Sequence, residues 1–501
     1  MINSQGYSYD KKIIEMKKIL IIAAIFISML QVSCNKDFLD VKPTNSTDAS
    51  VTINTLADAR VMINGVMRKM ISSTYYGRNF LIYGDAKGGD ITIPSQGRGL
   101  DALYTFNHTI NTNTYSSFWS DIYNTILQTN SIIAGIEKLE AEGTTIDFKN
   151  YKGQALTLRA LMHFDLVRLY GKPYTMDKAS YGVPIVTTLL DAAAQPLRNS
   201  VEETYTQIVA DLTAAEPLLS KAKSNGYINY YGNKAIQSRV YLTMGDYEKA
   251  FNAAEEIITS NVYSLYTNAE WVNSWKSEFG KESIFELRMV KDEGELGSAS
   301  IGFYYLRNKD NNALGNFVAS DYYLARLGQD PTDVRWGIMT HDEISNTRMG
   351  ACYKYVGSVD KSGEGKDPYT AVNIKAIRLS EIYLTAAEAA IKKPAPDLAK
   401  AVSYLNQIRK RAPDLAPATA ATITEDMVLE EKSKELLGEG QRFFDMIRLN
   451  KSITFNDEHV GVTMSHRPKT IDRSFNKIIL PIALSEINAN PGIEAQQNPG
   501  Y

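Results

Sequence analysis

Apolar residues recur at helical spacing through the stretch 234–260, which reads KAIQSRVYLTMGDYEKAFNAAEEIITS. Ile236, Val240 and Met244 lie four residues apart, so they fall on one face of a helix. Gly245 then ends this helix, because glycine adopts the left-handed conformation of a helix stop at little cost. The apolar stripe resumes in a second helix, at Tyr247, Ala250, Ala254 and Ile257. The pattern predicts two helices joined by one tight turn.

The order GDYxxA followed by small residues is typical of the turn and second helix of a tetratricopeptide hairpin. Such a hairpin cannot bury its own apolar face, so it requires neighbours. Similar stripes predict these neighbours, and the first places Leu56, Ala59, Ile63 and Val66 on one face. The fold class is therefore mainly all-α, an irregular tetratricopeptide-like scaffold of helical hairpins. Further helices are predicted at 55–70, 118–140, 154–170, 201–219, 377–391, 398–411 and 424–450.

Two long stretches interrupt the helical periodicity, 72–117 and 261–370. Both interleave glycines with aromatic residues, and residues 283–287 are expected to form a short strand, so the fold includes long loop inserts and minor β structure. Long irregular stretches within a compact protein are usually functional or disordered. One domain is expected over 51–501, with an N-terminal helical part (51–260), a loop-rich insert (261–370) and a C-terminal helical part (371–501).

The N-terminal region has the organisation of an export signal. Met16 precedes two lysines and a short apolar run, 19–30, which is shorter than the roughly 20 residues that span a bilayer. Small residues and Cys34 follow, as in a bacterial lipoprotein signal, in which the cysteine is lipidated and becomes the first mature residue. The sequence therefore predicts a signal at 1–33, a lipidated Cys34, and a polar tether at 34–50. The alternative is a plain secretory signal with an incidental cysteine.

Composition excludes several classes of protein. The 501 residues carry a net charge of −3, whereas nucleic-acid binders usually present a basic face. Cys34 and Cys352 are the only cysteines, which excludes a disulfide framework and a cysteine-rich zinc site. The sequence also lacks an HExxH pair, a GxSxG elbow and a P-loop. We therefore expect neither an enzyme nor a cofactor nor a metal site. His163, on an apolar helix face, is expected to be a core histidine.

Six short motifs, spread in order over the chain, resemble those of the SusD/RagB family of outer-membrane nutrient-binding lipoproteins of Bacteroidetes. Each motif is weak alone, but six in order are specific. Gly438 departs from the family pattern, in which an aromatic residue is usual, so one packing contact is expected to be weaker. The motifs are Asp37 to Pro43; Trp119, Tyr123, Ile126 and Asn130; Arg159 to Pro173; Arg378 to Ala389; Glu435 to Asp445; and Pro481, Glu486 and the final NPGY.

The resemblance implies a lipid-anchored protein at the cell surface of the outer membrane. It also implies docking onto a TonB-dependent, SusC-like transporter, as a lid that hands over bound glycan. The arginines in the motifs, Arg159, Arg378 and Arg442, lie on predicted helices and are expected to tie helix ends to carboxylates or carbonyls.

A glycan site needs flat rings for the sugar faces, and amides, carboxylates or arginines for the hydroxyl groups. Both inserts supply these side chains, and the resemblance implies a ligand site in the same two regions. The alternatives are peptide binding by a lid protein of the same architecture, and a surface scaffold that binds only protein partners. The candidate ligand-binding residues are Tyr83, Asp85, Gln96, Arg98, Tyr104, Phe106 and Asn107 in the first insert, and Phe303, Tyr304, Tyr305, Arg307 and Asn316 in the second.

Overall fold

The computed structural model describes residues 53–111, 113–290, 297–306, 314–342, 344–345, 347–355, 373–459 and 464–501, and only the backbone of 113–116. The predicted signal, the lipidation site Cys34 and the predicted tether lie outside these residues, as does Arg307. Within them, no helix combines the length and the hydropathy needed to cross a membrane.

Helices dominate the described residues, and strands occur only as short pairs. The predicted mainly α-helical class is thus confirmed. The helices are α1 Leu56–Met70, α2 Asn79–Ala86, α3 Ala102–Thr105, α4 Asn113–Ala141, α5 Lys149–Tyr170, α6 Val201–Ala215, α7 Tyr230–Met244, α8 Tyr247–Thr259, α9 Asn268–Ser274, α10 Ile301–Tyr305, α11 Asp321–Leu327, α12 Leu379–Lys392, α13 Leu398–Arg409, α14 Glu425–Glu435, α15 Arg442–Arg448 and α16 Leu484–Ala489.

The helices pack in successive pairs. α4 contacts α5, α5 contacts α6, α7 contacts α8, and α12 contacts α13. α8 also packs against α12, so the helical parts on either side of the insert 261–370 form one continuous scaffold. The insert leaves the scaffold after α8 and returns to it just before α12. Its loops are therefore held by helices on both sides.

The hairpin of α7 and α8 matches its sequence prediction. Gly245 ends α7 with φ +79°, in the left-handed region that favours glycine. Ala250, Ala254 and Ile257 are buried along one face of α8. In α1, by contrast, Ala59, Ile63 and Val66 are buried, but Leu56 is 43% exposed. Leu56 has the helical spacing of this stripe, but it is the first residue of the helix and stays largely in contact with solvent.

Three predictions of regular structure are wrong, and α4 and α5 each begin five residues before their predicted starts at 118 and 154. The region 72–117 contains α2, which has no apolar stripe because all eight of its residues are buried. The predicted helix 377–391 begins instead as a strand, Ile374–Arg378. This strand pairs antiparallel with Ser283–Leu287, whose prediction is confirmed. The remaining short strand pairs are Ile91–Thr92 with Val318–Ala319, Met339–Thr340 with Ala351–Cys352, and Ile453–Thr454 with Thr470–Ile471.

The third wrong prediction is the single helix 424–450, because the structure has two helices there, α14 and α15. Gly438 and Gly440 separate them, with φ +84° and +75°. A residue with a Cβ would be strained at Gly438. The ring of Tyr355 lies 3.6 Å from where such a Cβ would stand, and its hydroxyl donates to the Gly438 carbonyl over 2.6 Å. A ring from another segment therefore packs where the family pattern led us to expect a weaker contact.

Buried polar side chains tie the helices together. His163 donates from Nδ1 to the Arg159 carbonyl over 3.1 Å and accepts at Nε2 from the Val186 N–H over 3.2 Å. Burial lowers the pKa of His163 to about 4, so it is a neutral core histidine, as predicted. Arg159 and Arg378 form buried ion pairs with carboxylates, and Arg442 donates to the Leu429 carbonyl over 3.0 Å. These arginines thus have structural roles, as predicted, but Arg378 ends a strand and does not lie on a helix.

Candidate functional site

The two inserts meet at a short antiparallel ladder. Ile91 pairs with Ala319 and Thr92 pairs with Val318, which places the loop 94–101 beside the segment that follows α10. Asn316 donates from Nδ2 to the Gly99 carbonyl over 2.9 Å and lies 3.3 Å from Oδ1 of Asp101. The prediction that these two inserts lie together is therefore reproduced in the fold.

The ring of Tyr304 is the centre of this contact. Ser300 caps α10 by accepting a hydrogen bond from the Phe303 N–H over 3.2 Å, which fixes the helix that carries both rings. Phe303 and Tyr304 are half-buried, with ring centroids 5.4 Å apart at 77°. They therefore keep part of their apolar surface in contact with solvent, as a stacking site for a ligand requires.

Arg78 approaches Tyr304 from the N-terminal end of α2. Its guanidinium carbon lies 5.1 Å from the Tyr304 ring centroid, in cation–π range. Nη1 donates to the Ala299 carbonyl over 3.0 Å, and Nε donates to Oδ1 of Asn79 over 2.9 Å. These bonds hold the guanidinium beside the ring. We call Arg78, the loop 94–101, Phe303 and Tyr304 together the Tyr304 surface.

Sequence reasoning did not select Arg78. It stands alone in an irregular stretch and belongs to no motif. Its contacts with Ala299 and Tyr304 bridge more than 200 residues of sequence, and the residue spacing carries no signal of such a contact.

Polar groups border the Tyr304 surface. Gln96 is exposed, and its amide nitrogen lies 3.8 Å from the Met464 sulfur. Arg98 is half-buried, and within the described residues its buried Nη1 has no hydrogen-bond partner. The same holds for Oδ1 of the buried Asn316. The side chains of Gln96 and Arg98 are suited to ligand hydroxyl groups, because both keep a part in contact with solvent. Asn316 is 0% exposed, so its amide holds the loop 94–101 in place and does not face a ligand.

Four predicted ligand-binding residues instead lie in the interior, and for these the prediction is corrected. Tyr83, Tyr104 and Tyr305 are 0% exposed and Asp85 is 1% exposed. The rings of the three tyrosines pack against other rings, as Tyr83 does against Phe443 at a centroid distance of 5.7 Å. A ring that is covered on both faces offers no surface to a sugar.

The interior position also changes the ionisation of these groups. The Tyr104 hydroxyl donates to Oδ1 of Asp457 over 2.7 Å, and the Tyr305 hydroxyl donates to Oδ2 of Asp85 over 3.0 Å. Burial raises the pKa of Asp85 well above its usual range, against the opposing effect of that hydrogen bond. Asp85 is therefore a packed interior acid and not a surface partner for hydroxyl groups.

Two further candidates lie apart from Tyr304. Phe106 is buried, and the Lys87 ammonium stands 3.4 Å from its ring centroid, so this ring also belongs to the core. Asn107 is exposed, and no hydrogen bond joins it to the Tyr304 surface within the described part of the chain. Of the predicted candidates, the structure thus brings together Gln96, Arg98, Phe303 and Tyr304 at the surface. Asn316 joins the two inserts but is buried beneath them, so its prediction as a ligand contact is corrected. Among the residues that the structure describes, no group of three or more His, Cys, Asp or Glu side chains could hold a metal ion.

Comparison with known proteins agrees with this architecture. The sequence profile of the SusD family matches residues 219–501, and a second profile, described as starch-binding associating with outer membrane, matches residues 37–242. The chain is 25% identical to SusD-like protein P38 of Formosa agariphila over 540 aligned positions, covering 97% of this chain and 99% of that protein.

Solved structures share the fold. A SusD superfamily protein of Bacteroides thetaiotaomicron superposes with a TM-score of 0.81 at 35% identity, over 89% of this chain and all of that one. A laminarin-binding SusD-like protein superposes with a TM-score of 0.68 at 21% identity, over 89% of this chain and 99% of that one. The scaffold is thus that of a helical SusD-superfamily fold. The chain belongs to the SusD family.

Proposed function

We propose that this protein binds an oligosaccharide on the Tyr304 surface without chemically changing it. The observation that carries the proposal is the half-buried Tyr304 ring, which the Arg78 guanidinium contacts at 5.1 Å and the Phe303 ring meets nearly edge to face at 5.4 Å. A flat ring provides the apolar contact for a sugar face, and the neighbouring Arg98 and Gln96 side chains can bond its hydroxyl groups. Membership of the SusD family and the laminarin-binding neighbour of the same fold support a carbohydrate ligand.

The test is calorimetry on the full chain in detergent, titrated with laminarin and with starch oligosaccharides. A protein that passes its ligand on must release it, so we expect micromolar to millimolar Kd values, or ~4–8 kcal/mol of binding free energy. Tyr304→Ala removes about 1.5 kcal/mol of stacking and apolar contact, which lowers the affinity roughly tenfold.

Tyr322→Ala is the matched control, because Tyr322 is 36% exposed and lies outside the Tyr304 surface. It should bind like the wild type. Equal glycan affinity of the wild type, Tyr304→Ala and Tyr322→Ala would show that the binding site lies elsewhere. Stabilisation of the chain by a peptide pool and by no glycan would assign the ligand to peptides, and stabilisation by neither would favour a scaffold that binds only proteins. Turnover of any sugar would overturn the non-catalytic part of the proposal.

We also propose that Cys34 carries a lipid that anchors the chain to the outer membrane, where it delivers glycan to a TonB-dependent transporter. The short apolar run before Cys34 and the family profile that names the outer membrane support this location. We expect a fatty-acid probe to label the wild type and not Cys34→Ser, and a TonB-dependent barrel to co-purify from mildly solubilised outer membranes. Equal labelling of the two proteins would refute the anchor. Purification as a lone monomer in several detergents would refute the partner.

A further inference from the structure

A polar cleft lies between the last turn of α1 and the middle of α4. Its volume is about 330 Å³, and Arg68, Lys69 and Ser72 line one wall. Asp121, Asn124 and Thr125 line the other; they share a face of α4 because they stand three and four residues apart. By comparison, the cavity beside Phe443 and Phe444 holds about 30 Å³, close to the volume of one water molecule. The α1–α4 cleft falls within the size range of small-molecule pockets, roughly 300–1,000 Å³.

The two cationic side chains of this cleft take no part in the ion pairs that hold the described residues together. Arg68 is half-buried and Lys69 is exposed, and neither forms an ion pair or a side-chain hydrogen bond within the described residues. Elsewhere in the described residues, buried arginines are held by carboxylates or carbonyls, as Arg159 is by Asp211 at 2.7 Å and Arg198 is by the Tyr170 carbonyl at 2.8 Å. Two adjacent cations at the edge of a cleft make the local potential more positive and favour an anion there.

The opposite wall is polar, and hydrogen bonds hold it in place. The Thr74 hydroxyl donates to Oδ2 of Asp121 over 2.6 Å, and the Ser72 and Thr74 hydroxyls are 2.8 Å apart. These bonds join the turn after α1 to α4 and fix the Asp121 carboxylate. Its other oxygen and the exposed Asn124 amide form no side-chain hydrogen bond to a described residue. A carboxylate repels an anion but accepts from hydroxyl groups, so this wall selects the uncharged, hydroxylated end of a ligand.

We propose that the α1–α4 cleft is a second ligand site, which takes an acidic monosaccharide unit such as a uronate. The acidic group binds Arg68 and Lys69, and the ring hydroxyl groups bond Asp121 and Asn124. The cleft offers cations and hydroxyl partners but no aromatic ring, whereas the Tyr304 surface offers rings. The two sites share no residue, so this inference does not depend on the proposed function of the Tyr304 surface.

The experiment is calorimetry of the full chain in detergent with glucuronate, glucose and inorganic sulfate as probes. We expect glucuronate to bind with a Kd of about 1–10 mM, and glucose to bind far more weakly because it lacks the charge. The double variant Arg68→Gln and Lys69→Gln should lose about tenfold in affinity for glucuronate and should bind with less dependence on salt. Arg60→Gln is the matched control, because Arg60 is an exposed arginine on the same helix, α1, outside the cleft; it should bind like the wild type.

Two variants separate this site from its rivals. Asn124→Ala should weaken glucuronate binding and leave sulfate binding unchanged, because only the sugar has ring hydroxyl groups to bond. Sulfate binding as tight as that of glucuronate, unchanged in Asn124→Ala, would overturn the sugar assignment. Tyr304→Ala should bind glucuronate like the wild type, and loss of binding in that variant would place glucuronate on the Tyr304 surface. If glucuronate does not bind, or if the double variant does not change its binding, the proposed second site is refuted. Arg68 and Lys69 would then only stabilise the C-terminal end of α1, whose free carbonyl groups attract positive charge.

Discussion

Arg378→Met is expected to destabilise the folded protein by about 3–5 kcal/mol. Arg378 is 3% exposed and donates from Nη1 to Glu435 and from Nε to Glu439, each over 2.7 Å. Nη1 also lies 3.4 Å from Oε2 of Glu282. Removal of the guanidinium leaves these buried carboxylates with too few cations, and this uncompensated charge is the main cost. Urea unfolding of the full chain measures the effect.

The loss should also depend on pH. Burial alone would raise the pKa of Glu435, but the charges of Arg378, Arg411 and Arg335 lower it to about 2, below its ordinary 4.5. A depressed folded-state pKa means that the stability from this group is complete above pH 4.5 and is lost as the pH falls toward 2. The difference between wild type and Arg378→Met should therefore shrink on acidification below pH 4.5.

Lys138→Met is the control for Arg378→Met. Lys138 pairs with Glu142 at 3.9 Å on the surface, with both side chains more than half exposed. Solvent screens such a pair, so its loss should change the stability by less than about 0.5 kcal/mol. Equal, small effects of the two substitutions would show that the buried arginine is dispensable for folding.

Gly84→Ala is expected to destabilise the fold by about 3 kcal/mol, although alanine is the better helix former. Gly84 lies in α2 against the turn before α15, and an added Cβ would stand 2.0 Å from the Gly440 carbonyl oxygen. Backbone cannot rotate away as a side chain can, and Gly440 is itself held at φ +75°. One of the two segments must therefore shift, which disturbs the packing of α2.

Gly65→Ala is the matched control for this substitution. Gly65 lies in α1, and an added Cβ would meet nothing within 4 Å. Here alanine should stabilise the protein by about 0.5–1 kcal/mol, because it loses less backbone entropy on folding. The two Gly→Ala variants should thus shift the urea midpoint in opposite directions. A Gly84→Ala midpoint at or above that of the wild type would show that α2 does not pack tightly against this turn.

The sequence by itself determined the parts of this protein that depend on local pattern. The stripe Ala250, Ala254 and Ile257 and the stop at Gly245 appear where the periodicity places them, and the strand 283–287 also matches its prediction. Local pattern suffices in α8 because one face of this helix is buried and the other is in contact with solvent, so the residue order shows the helical period. The strand carries no such alternation, because all five of its residues are buried. The order of six short motifs also sufficed to predict the SusD family.

The tertiary structure alone decided which aromatic side chains are available to a ligand. Tyr304 and Tyr305 are adjacent in sequence and identical in chemistry, yet Tyr304 keeps an exposed part and Tyr305 is completely buried against Asp85. In an irregular stretch, burial depends on contacts with distant segments, such as Gly99 with Asn316 and Arg78 with Tyr304. Such contacts leave no periodic trace, so composition showed that rings were present in the inserts, and only packing decided which of them face solvent.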